Sequence, residues 1–383
     1  MKTLSNAKNN DLLLGNIENN EQYPIDFNEL EKAAKETLEA GPFGYIRSSA
    51  GGEETYRKNI NSFSKYSIVP RFLNDVSTLN TEVTILGKTY PHPLFIAPVG
   101  VNKIAHEDGE IAVAKAAANY EFPYIQSTVS SFSIEEIAAA TPGSSKWFQL
   151  YWSSNKEIAF SMAIRAEAAG YEAIVLTVDT VMLGWREEDI RNQFSPLKRG
   201  FGQGNYASDP VFMAALPEHS QEAIVDSILE NIYHPTLNWN DIAELRNHVS
   251  LPILIKGLLH PEDANLAVEQ GIDGIIVSNH GGRQLDGVIA SIDALPGIVE
   301  AIDGRIPVLF DSGIRRGSDA VKALALGASA VCIGRPFVWG LATGGQLGVE
   351  RVLENFLQET KVSISLAGVR NMKELQHLLV VKS

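Results

Sequence analysis

A single cysteine, Cys332, is all the thiol in this chain of 383 residues. An internal disulfide is therefore excluded, and so is a cysteine-rich metal cluster. Its apolar setting, Ala330-Val-Cys-Ile-Gly334, is that of an inert core thiol. Basic charge is also short: 32 Lys and Arg face 46 Asp and Glu, a formal net charge of −14 with no basic stripe. That balance argues against a nucleic-acid or anionic-membrane partner. No stretch approaches the ~20 apolar residues of a membrane span, and no long charge block or low-complexity tract interrupts the chain. Met1 to Asn20 lacks a signal-peptide core, and the final Val-Val-Lys-Ser is not a peroxisomal address. The expectation is a cytoplasmic protein without a bound metal. With 45% hydrophobic and 20% charged residues, the chain has ample material for a core and too little charge for disorder.

What is present is a repeat of buried strand and helix. Apolar runs occur at Leu94–Gly100, Pro123–Thr128, Trp147–Tyr151, Ala173–Asp179, Pro252–Gly257, Gly274–Ser278, Pro307–Gly313 and Ala330–Gly334. Helical patterns separate them at Glu107–Asn119, Ser133–Ala140, Lys156–Ala169, Asn240–Val249, Pro261–Gln270, Ile289–Ala301 and Gly317–Leu326. This alternation, without a dinucleotide glycine fingerprint, predicts an α/β fold, a (β/α)8 TIM barrel, over a doubly wound sheet. One domain is expected, with an N-terminal extension at 1–93, the barrel at 94–360 and a tail at 361–383. Residues 1–25 read as a loosely held arm, and Phe27 to Ala40 as a helix ending at Gly41-Pro42. From the residues alone, Tyr45 reads as part of a packed turn. The interval after the fourth strand is too long for one helix, and 187–239 is expected to be a lid over the active face.

In such a barrel the C-terminal strand ends carry the chemistry. Those ends read Gly100, Ser127, Gln149 with Tyr151, Thr177 with Asp179, Lys256, Ser278 with His280, Asp311 with Gly313 and Arg315, and Gly334 with Arg335. One polar residue there is ordinary; nearly every strand ending so requires a ligand. Glycines and arginines after strands seven and eight sit where barrels bind phosphate, so a phosphorylated cofactor is expected. Ser278-Asn-His280-Gly-Gly-Arg283-Gln284 places a base beside a carboxylate clamp. Lys256 adds a cation in the mouth for an anion developing on a cofactor ring.

These motifs resemble the FMN-dependent L-2-hydroxy acid oxidases and dehydrogenases, from about Phe27 to the C-terminus. The likeness includes Phe43-Gly-Tyr45, Phe148-Gln-Leu-Tyr151, Thr177-Val-Asp179, Asp311-Ser-Gly313 and Gly334-Arg-Pro336. The resemblance implies that His280 takes the 2-hydroxyl proton while the α-hydrogen leaves for the flavin as hydride. Asp179 would hold the imidazole, and Arg283 and Arg186 would grip the substrate carboxylate. Tyr45 and Tyr151 would hydrogen-bond the substrate. Lys256 would stabilise the reduced flavin's charge. It further implies that Ala97, Pro98, Val99, Gly100, Ser127, Gln149, Thr177 and Ser278 meet the flavin ring. Asp311 would hold the ribityl chain, and Gly313, Arg315, Gly334 and Arg335 the phosphate. The partners implied are a small L-2-hydroxy acid and O2, with assembly as a homotetramer or homo-octamer.

Within that family, Trp147-Phe-Gln-Leu-Tyr-Trp152, Leu183-Gly-Trp-Arg186 and Asn205-Tyr-Ala-Ser-Asp-Pro-Val-Phe212 resemble the lactate 2-monooxygenases. Gly100 is also theirs, where the lactate oxidases carry alanine. The missing methyl would leave room for pyruvate beside peroxide, so the expected products are acetate, CO2 and water. Pyruvate with H2O2 is the alternative, then a glycolate oxidase-like activity. An FMN-binding isomerase or a non-catalytic flavoprotein leaves Arg283 and Arg186, or His280 with Asp179, without a reason.

Overall fold

The computed structural model describes residues 23–382; most of the expected N-terminal arm lies outside them. The eight expected strands form: β1 (Leu94–Ile96), β2 (Tyr124–Gln126), β3 (Lys146–Tyr151) and β4 (Ile174–Thr177). They continue as β5 (Ile253–Leu258), β6 (Gly274–Val277), β7 (Val308–Phe310) and β8 (Ala330–Ile333). All pair in parallel, and β8 pairs with β1 to close the barrel. Buried on both faces, these strands read as continuous apolar runs, which is why the sequence announces them. The expected helices between them also form, several with sequence-encoded starts. Ser133 and Glu136 make a reciprocal capping box for Ile134–Ala140, and Pro261 sits at the first position of Pro261–Glu269.

The two-residue alternation of a strand explains how the barrel builds its site. Phe95, Ile125, Trp147, Val175, Leu254, Ile276, Leu309 and Cys332 form one buried cluster inside the barrel. A hairpin of Val83–Ile85 and Lys88–Tyr90 closes the bottom with Ile85 and Tyr90. Successive side chains of a strand point to opposite faces, so two residues further on each chain faces inward again. Those positions are Ala97, Ser127, Gln149, Thr177, Lys256, Ser278, Asp311 and Gly334. An apolar floor is thus followed by a polar layer at the C-terminal mouth. Cys332 belongs to the floor, and burial pushes its thiol up.

Four boundaries differ from the sequence reading. The first helix is Phe27–Thr37, and Gly41-Pro42 opens a second one, Ala40–Arg47, rather than ending the first. Proline suits a first turn, where its missing N–H is not needed. Tyr45 is therefore on a helix and not in a turn. The helix after β8 runs from Arg335 to Leu366, past the expected tail boundary, and bends at Gly344-Gly345. The tail then returns to the body, with Val380–Lys382 pairing antiparallel to Tyr66–Ile68.

The fourth difference is the extent of the lid. Much of 187–239 is packed into the body: Asn205, Tyr206, Asp209 and Phe212 are all buried. Asp209 caps Pro210–Ala215 and pairs with Arg165 at 3.0 Å. Asn205 Nδ2 donates to the Ser127 and Thr128 carbonyls, so the segment is sewn to the β2 end. The stretch 187–202 is more exposed at Arg191, Lys198 and Arg199, yet its Gly202 N–H donates to Ser131 Oγ and Asn192 Nδ2 donates to the Ala40 carbonyl. Among the described residues no helix is long and apolar enough to cross a membrane.

Candidate active site

The polar layer opens into a cavity at the C-terminal mouth of the barrel. His280 stands at its wall, just beyond β6, at a φ of +59°. That left-handed conformation costs on the order of 1–3 kcal/mol and is held only where surroundings enforce it. Here they do: the His280 N–H donates to Ser278 Oγ at 3.0 Å, and the Gly281 N–H donates to Ser312 Oγ at 3.0 Å. Gly282 follows at φ +78°, and a Cβ there would lie 2.8 Å from the Tyr56 backbone nitrogen. Only glycine allows that approach.

His280 Nδ1 lies 2.8 Å from Asp179 Oδ1, so Nδ1 carries the proton and donates it to the carboxylate. Thr180 Oγ1 donates to the same oxygen at 2.8 Å. Burial alone would raise the Asp179 carboxyl, but the neighbouring His280 and Lys256 and these hydrogen bonds hold it down at about 2. Burial lowers His280 from its usual 6.5, and Lys256 pushes the same way against Asp179. At neutral pH the imidazole is thus neutral, with the lone pair on Nε2. Tyr151 Oη is 3.5 Å from that Nε2. Burial pushes the phenol far up, so Tyr151 keeps its proton and remains a donor.

This sets a pH dependence. A base works only when deprotonated, so kcat/KM is expected to fall as pH drops through the His280 pKa. The midpoint of that acid limb should lie below 6.5, the direction in which burial moves the group. A limb centred above 6.5 in a kcat/KM profile would assign the base elsewhere.

Two guanidiniums meet beside the base. The Arg283 guanidinium lies 4.7 Å from the Tyr45 ring centroid and that of Arg186 5.9 Å from it, and all three side chains line the cavity. Arg283 Nη1 donates to the Tyr45 and Ser48 carbonyls at 2.7 and 2.8 Å. Arg186 Nε donates to the Arg283 carbonyl at 3.2 Å and Nη2 to Gln284 Oε1 at 3.3 Å. Burial lowers the Arg283 pKa, and repulsion from Arg186 adds to it. A carboxylate placed between two such cations relieves both.

Further along the cavity lie Arg315, Arg335 and Gly313, after β7 and β8, with Arg335 sharing the Ser48 carbonyl with Arg283. Burial pushes the Arg335 guanidinium down, and Arg315 and Arg283 repel it further. Its N–H groups hold the Ile46, Ser48 and Gly281 carbonyls, so Arg335 also ties Ala40–Arg47 to the barrel. Arg315 Nε and Nη2 are buried without a partner. Between the two ends, Lys256 Nζ is 3.7 Å from Asp311 Oδ2. Burial disfavours its charge, but Asp311 and Asp179 more than restore it.

Ala97, Pro98, Val99, Gly100, Ser127 and Gly334 line the cavity. Gln149, Thr177 and Ser278 do not form its walls; they sit in the polar layer beneath. Gln149 Oε1 accepts from Ser127 Oγ, leaving Nε2 buried and unpartnered, and Thr177 Oγ1 is unpartnered too. Four further side chains that organise the site have no role in the sequence reading: Thr180, Ser312, Gln284 and Asp189. Gln284 sits inside the quoted motif and links Arg186 to the carbonyls of Asp179 and Met182.

The His280 imidazole, the guanidiniums of Arg186 and Arg283, and Arg315 with Arg335 thus share one barrel mouth. Residues 34–382 match the family model described as FMN-dependent dehydrogenase, and the chain belongs to that family. It is 62% identical over 380 residues to L-lactate oxidase of Lysinibacillus sphaericus (strain C3-41), covering 99% of this chain and 98% of that protein. L-lactate oxidase of Nostoc sp. (strain PCC 7120 / SAG 25.82 / UTEX 2576) is 42% identical, covering 92% and 96%. The crystal structure of mandelate oxidase superposes with a TM-score of 0.85 at 38% identity, covering 94% and 99%. The chain is an FMN-dependent 2-hydroxy acid oxidoreductase. The site fits FMN on its own chemistry. The unpartnered Gln149 Nε2, Thr177 Oγ1 and Arg315 donors are the kind of buried groups a ring edge and a phosphate satisfy. Among the described residues no cluster of His, Cys, Asp or Glu is placed to hold a metal ion.

Proposed function

We propose that this enzyme oxidises L-lactate to pyruvate and delivers the two electrons and two protons to O2 as H2O2. The observation that carries the reading is the convergence of a neutral imidazole, a protonated phenol and two guanidiniums on one wall of the cavity. Arg186 and Arg283 bind the substrate carboxylate, and Tyr45 packs against both. Tyr151 donates to the 2-hydroxyl and orients it toward His280 Nε2. His280 takes the hydroxyl proton, and Asp179 stabilises the resulting imidazolium through Nδ1. FMN, held by the polar layer and by Gly313, Arg315, Gly334 and Arg335, supplies the two-electron acceptor. Lys256 remains charged and offers its cation where negative charge develops.

The choice of products turns on Gly100. A methyl placed there would lie 2.4 Å from Val129 Cγ2 and 2.8 Å from the Val129 carbonyl oxygen. The missing methyl therefore corresponds to close packing and not to spare room for pyruvate. The monooxygenase expectation loses its Gly100 argument and keeps only the motif resemblance, and the relative at 62% identity is named an L-lactate oxidase. Peroxide released per lactate consumed, measured with and without catalase, should be close to one. Acetate without free peroxide would establish the monooxygenase instead. Gly100→Ala should displace Val129 and slow lactate oxidation while leaving that ratio unchanged.

The homotetramer or homo-octamer belongs to the same proposal. Met182, Leu183, Trp185 and Leu285 are exposed on two loops joined through Gln284, and offer apolar surface for a second copy. Light scattering of the FMN-loaded enzyme tests it: a monomer would reject it.

A further inference from the structure

We propose that Asp189 sets the charge of the substrate: it cancels one of the two guanidinium charges at the carboxylate end and so selects 2-hydroxy acids with a single carboxylate. The proposal rests on the assignment of Arg186 and Arg283 as the substrate clamp. Asp189 Oδ2 lies 3.9 Å from Arg186 Nη1, with side-chain exposures of 15% and 8%. Burial raises the Asp189 carboxyl, with Glu188 pushing the same way, while Arg283 and Arg186 favour its charge. Among the described residues no other carboxylate comes within 4.0 Å of either guanidinium.

The remaining partners of both arginines are neutral. Arg283 spends Nη1 on the Tyr45 and Ser48 carbonyls, and Arg186 binds the Arg283 carbonyl and Gln284 Oε1. None of these cancels charge. Within the clamp, two cations and one carboxylate leave a surplus of one positive charge, which a monocarboxylate neutralises; Arg335, which shares the Ser48 carbonyl with Arg283, is assigned to the cofactor phosphate. A second carboxylate on the substrate would enter a buried site with no cation left for it.

Asp189 is also out of the ordinary as a salt-bridge partner. At 3.9 Å it is too far for a hydrogen bond to Arg186, and its Oδ1 is buried without any partner. A residue kept only to hold Arg186 in place would touch it. Asp189 acts through the field at the clamp and not through contact with the substrate, since it does not line the cavity. It stands on the short helix Glu187–Arg191, which packs against the Ala40–Arg47 helix that carries Tyr45.

The test compares monoanionic and dianionic ligands on the FMN-loaded enzyme. Dissociation constants of propionate and malonate are read from the flavin absorbance change on binding, without turnover. In Asp189→Asn, the affinity for malonate relative to propionate should rise about tenfold, equivalent to ~1.4 kcal/mol. The kcat/KM for L-malate relative to L-lactate should move the same way. Asp189→Glu retains the charge and should keep the wild-type ratio; Asp189→Ser is the second neutral variant should the first not bind FMN. A proportional weakening of both ligands in the neutral variants, or an unchanged ratio, would overturn the proposal. A wild type that does not oxidise lactate at all would instead reject the functional reading beneath it.

Discussion

His280→Gln is expected to bind FMN normally and to lose lactate turnover by ~10²–10⁴-fold or more, the contribution of one positioned base. Glutamine fills a similar volume and can still donate to Asp179, which lies 2.8 Å from Nδ1 in the wild type. It has no lone pair basic enough to take a hydroxyl proton. The flavin pocket should survive, because the cofactor end is held by Arg315, Gly313 and the polar layer, which His280 does not support. The left-handed φ of +59° at this position is imposed by neighbours and remains in the variant. Rapid mixing with lactate under anaerobic conditions checks the prediction. Flavin reduction at a near-normal rate would remove His280 from the chemistry.

Arg283→Lys should cost far more than its retained charge suggests. The guanidinium does three things at once. It faces the cavity, it packs 4.7 Å from the Tyr45 ring centroid, and Nη1 holds two carbonyls of the N-terminal segment. Lysine offers one point charge and cannot grip a carboxylate through two parallel N–H bonds while holding Tyr45 and Ser48. Hydrogen bonds to charged groups contribute ~1.5–3 kcal/mol each, so losing two implies a fall of at least ~100-fold in kcat/KM. Both KM and kcat should suffer, since Tyr45 loosens together with the clamp. If neither changes, Arg283 is not the carboxylate's partner.

The barrel was legible because parallel strands buried on both faces leave unbroken apolar runs, and because their polar ends recur at one strand position after another. Lys256, His280 and Arg283 stand out for the same reason: a charge ending an apolar run needs an explanation. Local signals of opposite meaning were less readable. Gly41-Pro42 marks both a helix end and a helix start, and the chain used it as a start. Tyr206 and Phe212 read like loop aromatics, yet both are buried, so what looked like a lid over its full length is largely body. Contacts far apart in sequence left no trace at all. Thr180 meets His280 across 100 residues, and Arg186 meets Gln284 across 98. Gly100 taught the reverse lesson: its identity was noticed, but the direction its methyl would take, into Val129, is a property of the folded chain.

Anaerobic titration of the yellow, FMN-loaded enzyme with L-lactate bears most directly on the central claim. The flavin absorbance should bleach fully, one pyruvate should form per FMN, and D-lactate should leave the spectrum unreduced. A flavin that stays oxidised under excess L-lactate, in an enzyme shown to hold FMN, would mean that the imidazole, phenol and guanidinium wall serves a different reaction.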